Sequence, residues 1–332
     1  MPAQRLDLSD VTFDPLLTRL SVGWFQERKQ NAITSVFPIL EVGIQSGQYI
    51  EWNQEDLRRR AMQRRGVGQE AESVQFGKSD QSFSTEEFAL KVPLDETVIA
   101  SAASQMSGLT SLRQAAGRYL TQQALLHLDD AFVSNYFTTS AWTTTKDGSG
   151  TDFTQWENDN GTPFDILDEF FDDVEKTGIF RPNVGVLGKA VWRELKNHTE
   201  TFNRISIGQT PDSPKRITPD LVAEAMGLDR LIVPSLTEET ATTGAASSPS
   251  FVFPEKEALF VYAPDQPSLL TPSGGYIFAW VEAFDGQANE FGAVMDRIER
   301  GAKHSEEVEI RMHYDMKQVA ADVGLYLQNA VA

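Results

Sequence analysis

The sequence contains no cysteine, which excludes a disulfide framework, a thiol nucleophile and a thiolate zinc site. Histidine is scarce: the four, at 127, 198, 304 and 313, are scattered, and none keeps HExxH spacing. Long apolar runs are lacking. The longest, at 36–44 and 276–284, are broken by proline or glutamate and are too short to span a bilayer. The opening MPAQRLDLSDVTFD has no basic-then-apolar signal pattern, so the expectation is a soluble, intracellularly made protein with no membrane partner. Positive charge is also short, with 29 Lys+Arg against 48 Asp+Glu and a net charge of −19. Nucleic-acid binding needs a basic footprint, so the chain as a whole should repel DNA and RNA. Neither a GxSxG elbow nor a GxGxxG turn occurs.

What is present begins with residues 109–137, a proline-free stretch with one internal glycine. A helix of this length would run about 43 Å at 1.5 Å per residue. Leu112, Ala116, Tyr119, Leu126, Val133 and Phe137 fall on one apolar stripe, four of them spaced by seven. Leu120, Ala124, Leu128 and Ala131 form a second strip. Arg113 and Arg118 come early and Asp129 and Asp130 late, against the helix dipole. Packing partners must therefore hold this helix, with the first stripe as its expected core face.

The chain as a whole, at 332 residues, has length for one large domain or two medium ones. Residues 1–31 read as an arm over other structure. Residues 33–42 (ITSVFPILEV) read as a strand that Pro38 confines to an edge. A strand at 49–52 and its return at 82–90 enclose some thirty polar residues, including LRRRAMQRRGVGQ at 57–69, with Arg58, Arg59, Arg60, Arg64 and Arg65 and no acid. Connections this long are uncommon in compact domains. Two readings fit: a solvated basic turn, or a β-hairpin that lies on a neighbouring subunit. Asp95 is placed to cap a short helix to about 106. Residues 161–289 then alternate helix and strand, with Thr162–Pro163 opening one helix and Gly178 closing it. Strands at 292–300 and 306–313 follow, and the tail is expected to complete the domain of the long helix.

Two near-misses need weighing. Residues 185–190 (GVLGKA) follow a strand and open a helix, but the first glycine of a phosphate loop falls at Asn183 and Ala190 replaces the magnesium-binding hydroxyl. A plain strand–helix turn is the better reading. Asp165, Asp168, Glu169, Asp172 and Asp173 spread around an amphipathic helix and read as its solvated face. Nothing here argues for an enzyme, a cofactor or a metal site.

The order is arm, Phe-Pro strand, long hairpin, short helix, long helix, α/β lobe and returning strands. It resembles the major capsid protein of tailed bacteriophages, an α+β shell fold also used by encapsulins and herpesvirus capsid floors. The resemblance is carried by LTRLSVGW at 17–24 leading to ITSVFP at 33–38 and SGQY at 46–49, and by the closing VAADVGLYL at 319–327. It implies an N-terminal arm at 1–43, an extended loop at 44–91, and a peripheral domain at 92–145 and 290–332, with an axial domain at 146–289. It also implies copies assembling as pentamers and hexamers of an icosahedral virion capsid built in the host cytoplasm, with portal and decoration proteins as partners. Too few residues precede Val36 for a built-in scaffolding segment, so a separate scaffolding protein is expected. Subunit contacts fall to Tyr49, Trp52, Arg58, Arg59, Arg60, Arg64, Arg65, Phe83 and Phe88. The alternatives are an encapsulin-like shell around protein cargo, or an α/β enzyme or ligand-binding protein using the lobe.

Overall fold

The computed structural model describes residues 11–13, 33–52, 58–60, 62, 64–65, 67–68, 70, 73, 77–95, 109–150, 152–157, 160–206, 217–242, 245–268, 271–284, 288, 292–300 and 305–332. In chain order the elements begin with β1 (Val11–Phe13), α1 (Ile33–Val36), β2 (Ile39–Val42), β3 (Ser46–Trp52), β4 (Lys78–Ser84) and β5 (Glu86–Asp95). The long helix α2 (Leu109–Tyr136) and β6 (Thr144–Asp147) follow. The lobe contains α3 (Pro163–Gly178), β7 (Val184–Leu187), α4 (Lys189–Asn197), α5 (Thr199–Ser206), α6 (Pro219–Met226) and β8 (Arg230–Ile232). A small hairpin, β9 (Thr237–Glu239) with β10 (Pro249–Phe251), precedes β11 (Ala258–Val261) and β12 (Gly275–Trp280). The chain closes with β13 (Ala293–Arg300), β14 (Ser305–Gln318) and β15 (Gly324–Gln328).

Two sheets organise this mixed α+β fold. The first runs β1-β13-β14-β12-β2, with β5 also paired to β14. The second runs β6-β15-β11-β7-β8. Alternation along its strands explains why short segments such as VGVL and ALFV are buried throughout. Val184, Val186, Leu259, Val261 and Tyr326 point to the core shared with α2. Leu187, Ala258, Phe260, Leu325 and Leu327 point to the opposite core, under α3, α4 and α6.

The tail therefore does not complete only the domain of the long helix, as its sequence predicts. β15 is an inner strand of the lobe's sheet, between β6 and β11. Its leucines fill the lobe core, while the Tyr326 hydroxyl donates to the Glu257 carboxylate at 2.5 Å and lies 3.2 Å from the Phe137 carbonyl at the end of α2.

The long helix exists as predicted, but its buried face is centred on the second strip and takes in only Ala116 and Phe137 of the first. Leu120, Ala124, Leu125, Leu128, Phe132 and Tyr136 are buried; Leu112, Leu126 and Val133 are half-buried, and Tyr119 is 54% exposed. Apolar residues lie nearly all round this helix, so the period alone could not select the face against β14 and β5.

Residues 33–42 are not one strand. Ile33–Val36 form a helical turn whose first amide, Ile33 N–H, donates to the buried Asp129 carboxylate at 3.2 Å. Phe37 then packs edge-on against Phe132 and Tyr136, with ring centroids 5.2 and 4.9 Å away. A side chain at Gly275 would collide with the Phe37 ring. Pro38 sits just before β2, an edge strand as proline requires.

The expected return strand at 82–90 is two strands. The chain turns at Thr85, whose N–H and hydroxyl both donate to the Gln45 carbonyl, at 2.9 and 3.1 Å. Asp95 ends β5 opposite Ser305 instead of capping a helix, and the helix expected at 96–106 lies outside the described residues. The helix that opens at Lys189 breaks at His198, whose backbone is extended, and a second begins at Thr199. Gly227, at φ 71°, closes α6 in the left-handed conformation that glycine adopts without cost.

Candidate assembly surfaces

The base of the hairpin belongs to the chain's own core. Tyr49 and Phe83 are 6% and 3% exposed, and with Val42, Tyr276, Phe278 and Val319 they form a cluster on the face of the first sheet away from α2. Phe83 stacks on Phe278 at 4.4 Å and 4°, and the Tyr49 hydroxyl donates to the Gln318 carbonyl at 3.3 Å. These two aromatics, expected at a subunit contact, are thus already packed within one chain. Apolar residues in a strand find the nearest sheet face. Trp52 ends β3 opposite Lys78.

Beyond that base the character changes. Arg58, Arg59, Arg60, Arg64 and Arg65 are all exposed, and Met62 and Val67 have essentially their whole surface in solvent. Arg58 donates to the Lys176 carbonyl in the last turn of α3, where orphan carbonyls and the helix dipole favour a cation. Phe88 is half-buried on β5, its ring 4.7 Å from His127 and 4.9 Å from Tyr314.

Between β5, β14 and α2 lie ion pairs that sequence reading missed, because they join residues about two hundred positions apart. Arg113 on α2 meets the buried Glu306 at 2.6 Å, and Lys91 meets Glu307 at 3.1 Å. Arg311 pairs with Asp296 on the adjacent strand. Burial raises the Glu309 carboxyl above its ordinary value, opposed by Arg311 and Lys91. Alternating Glu and apolar residues in EEVEIRM mark a strand with one apolar face, but nothing local names the basic partners of its carboxylates.

The sites that could suggest catalysis are otherwise occupied. At the start of α4 the amides of Ala190 and Val191 donate to the Glu255 carbonyl at 3.0 and 3.2 Å, and a side chain at Gly188 would strike the backbone of 254–255. No phosphate can approach there. The acids of α3 make surface ion pairs, Asp168 and Asp172 with Arg181, Asp165 with Arg204 and Asp173 with Lys176. His198 accepts the Glu200 amide at 3.2 Å, and His313 packs between Trp280 and Phe284. His304 lies outside the described residues. A cleft of about 690 Å³ beside α4 and α5 is lined by Trp192, Phe202 and Pro219, with Lys196 the one ionisable residue among its described lining. Among the described residues no cluster of His, Asp and Glu could hold a metal ion, and no helix is long and apolar enough to cross a membrane.

No family model matches the chain, and no curated protein matches it in sequence. Solved structures do match. A phage-related protein from Bordetella bronchiseptica RB50 is 16% identical with a TM-score of 0.71, over 96% of this chain and 98% of that one. The capsid structure of cyanophage P-SCSP1u matches at 10% identity and TM-score 0.52, over 99% and 91% of the two chains. The chain has the phage capsid shell fold. An encapsulin complex from Synechococcus elongatus PCC 7942 shares it at 11% identity and TM-score 0.52, over 90% of this chain and 87% of that one. In the shell fold, the elements with least core of their own here are the arginine-bearing loop and the outer edge of β5. Among the described residues that edge has no paired strand.

Proposed function

We propose that this chain is a major capsid protein whose copies close into the icosahedral shell of a double-stranded DNA phage. The observation that carries the reading is the loop between β3 and β4. It leaves a well-packed base and presents five exposed arginines and two bare apolar side chains, on a chain whose remainder carries −19 − 5 = −24. Within one subunit the loop's bare Met62 and Val67 bury nothing, whereas heterologous contacts repeated around a closed shell have a use for such side chains. In this reading the chain is structural, with no catalytic role. Within 44–91 the loop beyond the packed base reaches a neighbour, with Trp52 and the arginines at the contact, and α2 serves as the spine of a peripheral domain built from 92–145 and 290–332, of which β15 crosses into the lobe's sheet. The lobe at 146–289 surrounds the five- and six-fold positions. A separate scaffolding protein, a portal and decoration proteins are its partners, and the shell forms in the host cytoplasm. An acidic wall leaves packaged DNA mobile.

The encapsulin match supports a second reading, a shell around protein cargo. Sedimentation of the protein, expressed alone and with a scaffolding protein, tests the shell itself. Nuclease-protected DNA inside the particles supports the first reading, and co-purifying protein cargo the second. Monomers or dimers under every condition would refute both.

A further inference from the structure

We propose that the arginine-rich loop is latched to its own subunit before assembly, by Arg58 on the C-terminal turn of α3, and that this contact opens before the subunit joins a shell. The inference rests on the shell reading and adds its regulation.

The receiving end is a helix terminus with carbonyls to satisfy. The last four carbonyls of an α-helix have no partner within it. At the end of α3 the Glu175 carbonyl accepts from the Ile179 amide at 2.9 Å. The next carbonyl, that of Lys176, accepts from the Arg58 guanidinium, 118 residues earlier in the chain. A side chain at Gly178 would strike the Asp322 carbonyl, so this end of α3 is seated on the turn at 321–323 that leads into β15. The arginine therefore meets a fixed target.

Charge favours the same docking. The sequence of α3 holds six carboxylates against Lys176 alone, whereas residues 58–65 hold five arginines and no acid. Asp173 faces Lys176 at 3.0 Å, and Glu169 and Glu175 are exposed on the same helix. The dipole at a helix C-terminus adds to the attraction. The latch is nonetheless shallow, because Met62 and Val67 stay in solvent and only the polar side of the loop is held.

The two uses of Arg58 exclude each other. One guanidinium cannot cap α3 of its own chain and also lie at a neighbour. A latched subunit is incompetent, so the apparent affinity for a growing shell scales with the fraction that is open.

The absence of cysteine makes a reversible lock possible. An Arg58→Cys, Lys176→Cys variant, unassembled and dilute, should be bridged within one chain by a bismaleimide carrying a disulfide in its spacer. Bridged subunits, mixed with scaffold, should give at least about tenfold fewer particles, and reductant, by cleaving the spacer, should restore them. The two single-cysteine variants, blocked with N-ethylmaleimide, should assemble, which separates locking from modification. Arg58→Ala should shorten the assembly lag seen by light scattering about two- to fivefold, the range expected for losing a cation from a helix C-terminus. Absence of the bridge in unassembled subunits, bridged subunits that assemble like open ones, no recovery on cleavage, or an unchanged or longer lag for Arg58→Ala would overturn the latch while leaving the shell reading intact. Failure of the wild-type protein to form particles at all, even with scaffold, would overturn both.

Discussion

Phe83, on the returning strand of the hairpin, lies flat on Phe278 of the first sheet, with ring centroids 4.4 Å apart. That contact holds the hairpin's base to the subunit fold, while beyond it Met62 and Val67 stand in solvent. Phe83→Ala should destabilise the unassembled subunit by about 3–5 kcal/mol, as for other buried phenylalanines. Urea unfolding measures it, and a loss below about 1 kcal/mol would place Phe83 outside the core.

Replacing residues 54–76 with a short turn should have the opposite profile. The tip leaves Met62 and Val67 in solvent and contributes little burial to its own chain. Far-UV circular dichroism and the melting temperature should stay near wild type while particles disappear. If the subunit unfolds instead, the tip is part of the core.

In the proposed shell the arginines would act at longer range. Exposed ion pairs are worth about 0.2–1 kcal/mol each, so their effect lies in steering and register multiplied around the shell. Reversing Arg59 and Arg64 to Glu should reduce assembly more than replacing both with Ala, because reversal adds repulsion. Light scattering should also show assembly weakening above physiological salt, where the Debye length is about 8 Å. Equal assembly by both variants, with no salt effect, would make the loop a solvated turn.

The sequence made some of this legible and hid the rest for physical reasons. The extent of α2, the opening of α3 at Thr162–Pro163 and most strands of the lobe follow from local period and punctuation. The two strands of the hairpin base are legible too, but not their packing: by sequence Tyr49 and Phe83 are assigned to a subunit contact, and only the fold lays them on Phe278. The face of α2 is not, because apolar residues surround that helix and only β14 and β5 choose among them. Nor is the placement of β15: strand pairing over tens to hundreds of residues leaves no local trace. Asp129 is the sharpest case. By sequence it is an acid late in a helix, against the dipole; in the fold it is buried and holds the first amide of α1.

Asp129→Ala should therefore leave that amide short of an acceptor and cost about 1–3 kcal/mol of subunit stability. Asp129→Asn keeps an accepting oxygen and should cost less. Denaturant unfolding of the pair distinguishes them, and equal losses would show that the Ile33 contact contributes nothing.

His313 supplies a pH dependence. Burial holds its imidazole below the ordinary value, Arg311 adding to the depression and the Glu87 carboxylate opposing it. A depressed folded pKa favours the neutral ring, so this contribution to stability is present above about pH 6.5 and is lost as pH falls through the folded value. Glu257 and Glu309, raised by burial, have the opposite sign: their contribution is complete below the ordinary carboxylate pKa and fades as pH rises. They are unchanged in a His313→Gln variant and cancel in the comparison. Between pH 7 and 5 the wild-type melting temperature should fall more than the variant's. Parallel curves would remove His313 as the cause.

The central claim is that this chain exists to build a closed shell. Electron microscopy of the purified full-length protein, co-expressed with a scaffolding protein, tests it most directly. Closed particles of uniform diameter, with five- and six-fold clusters of the lobe at residues 146–289, are the expected result. A monodisperse small oligomer that never forms particles would contradict it.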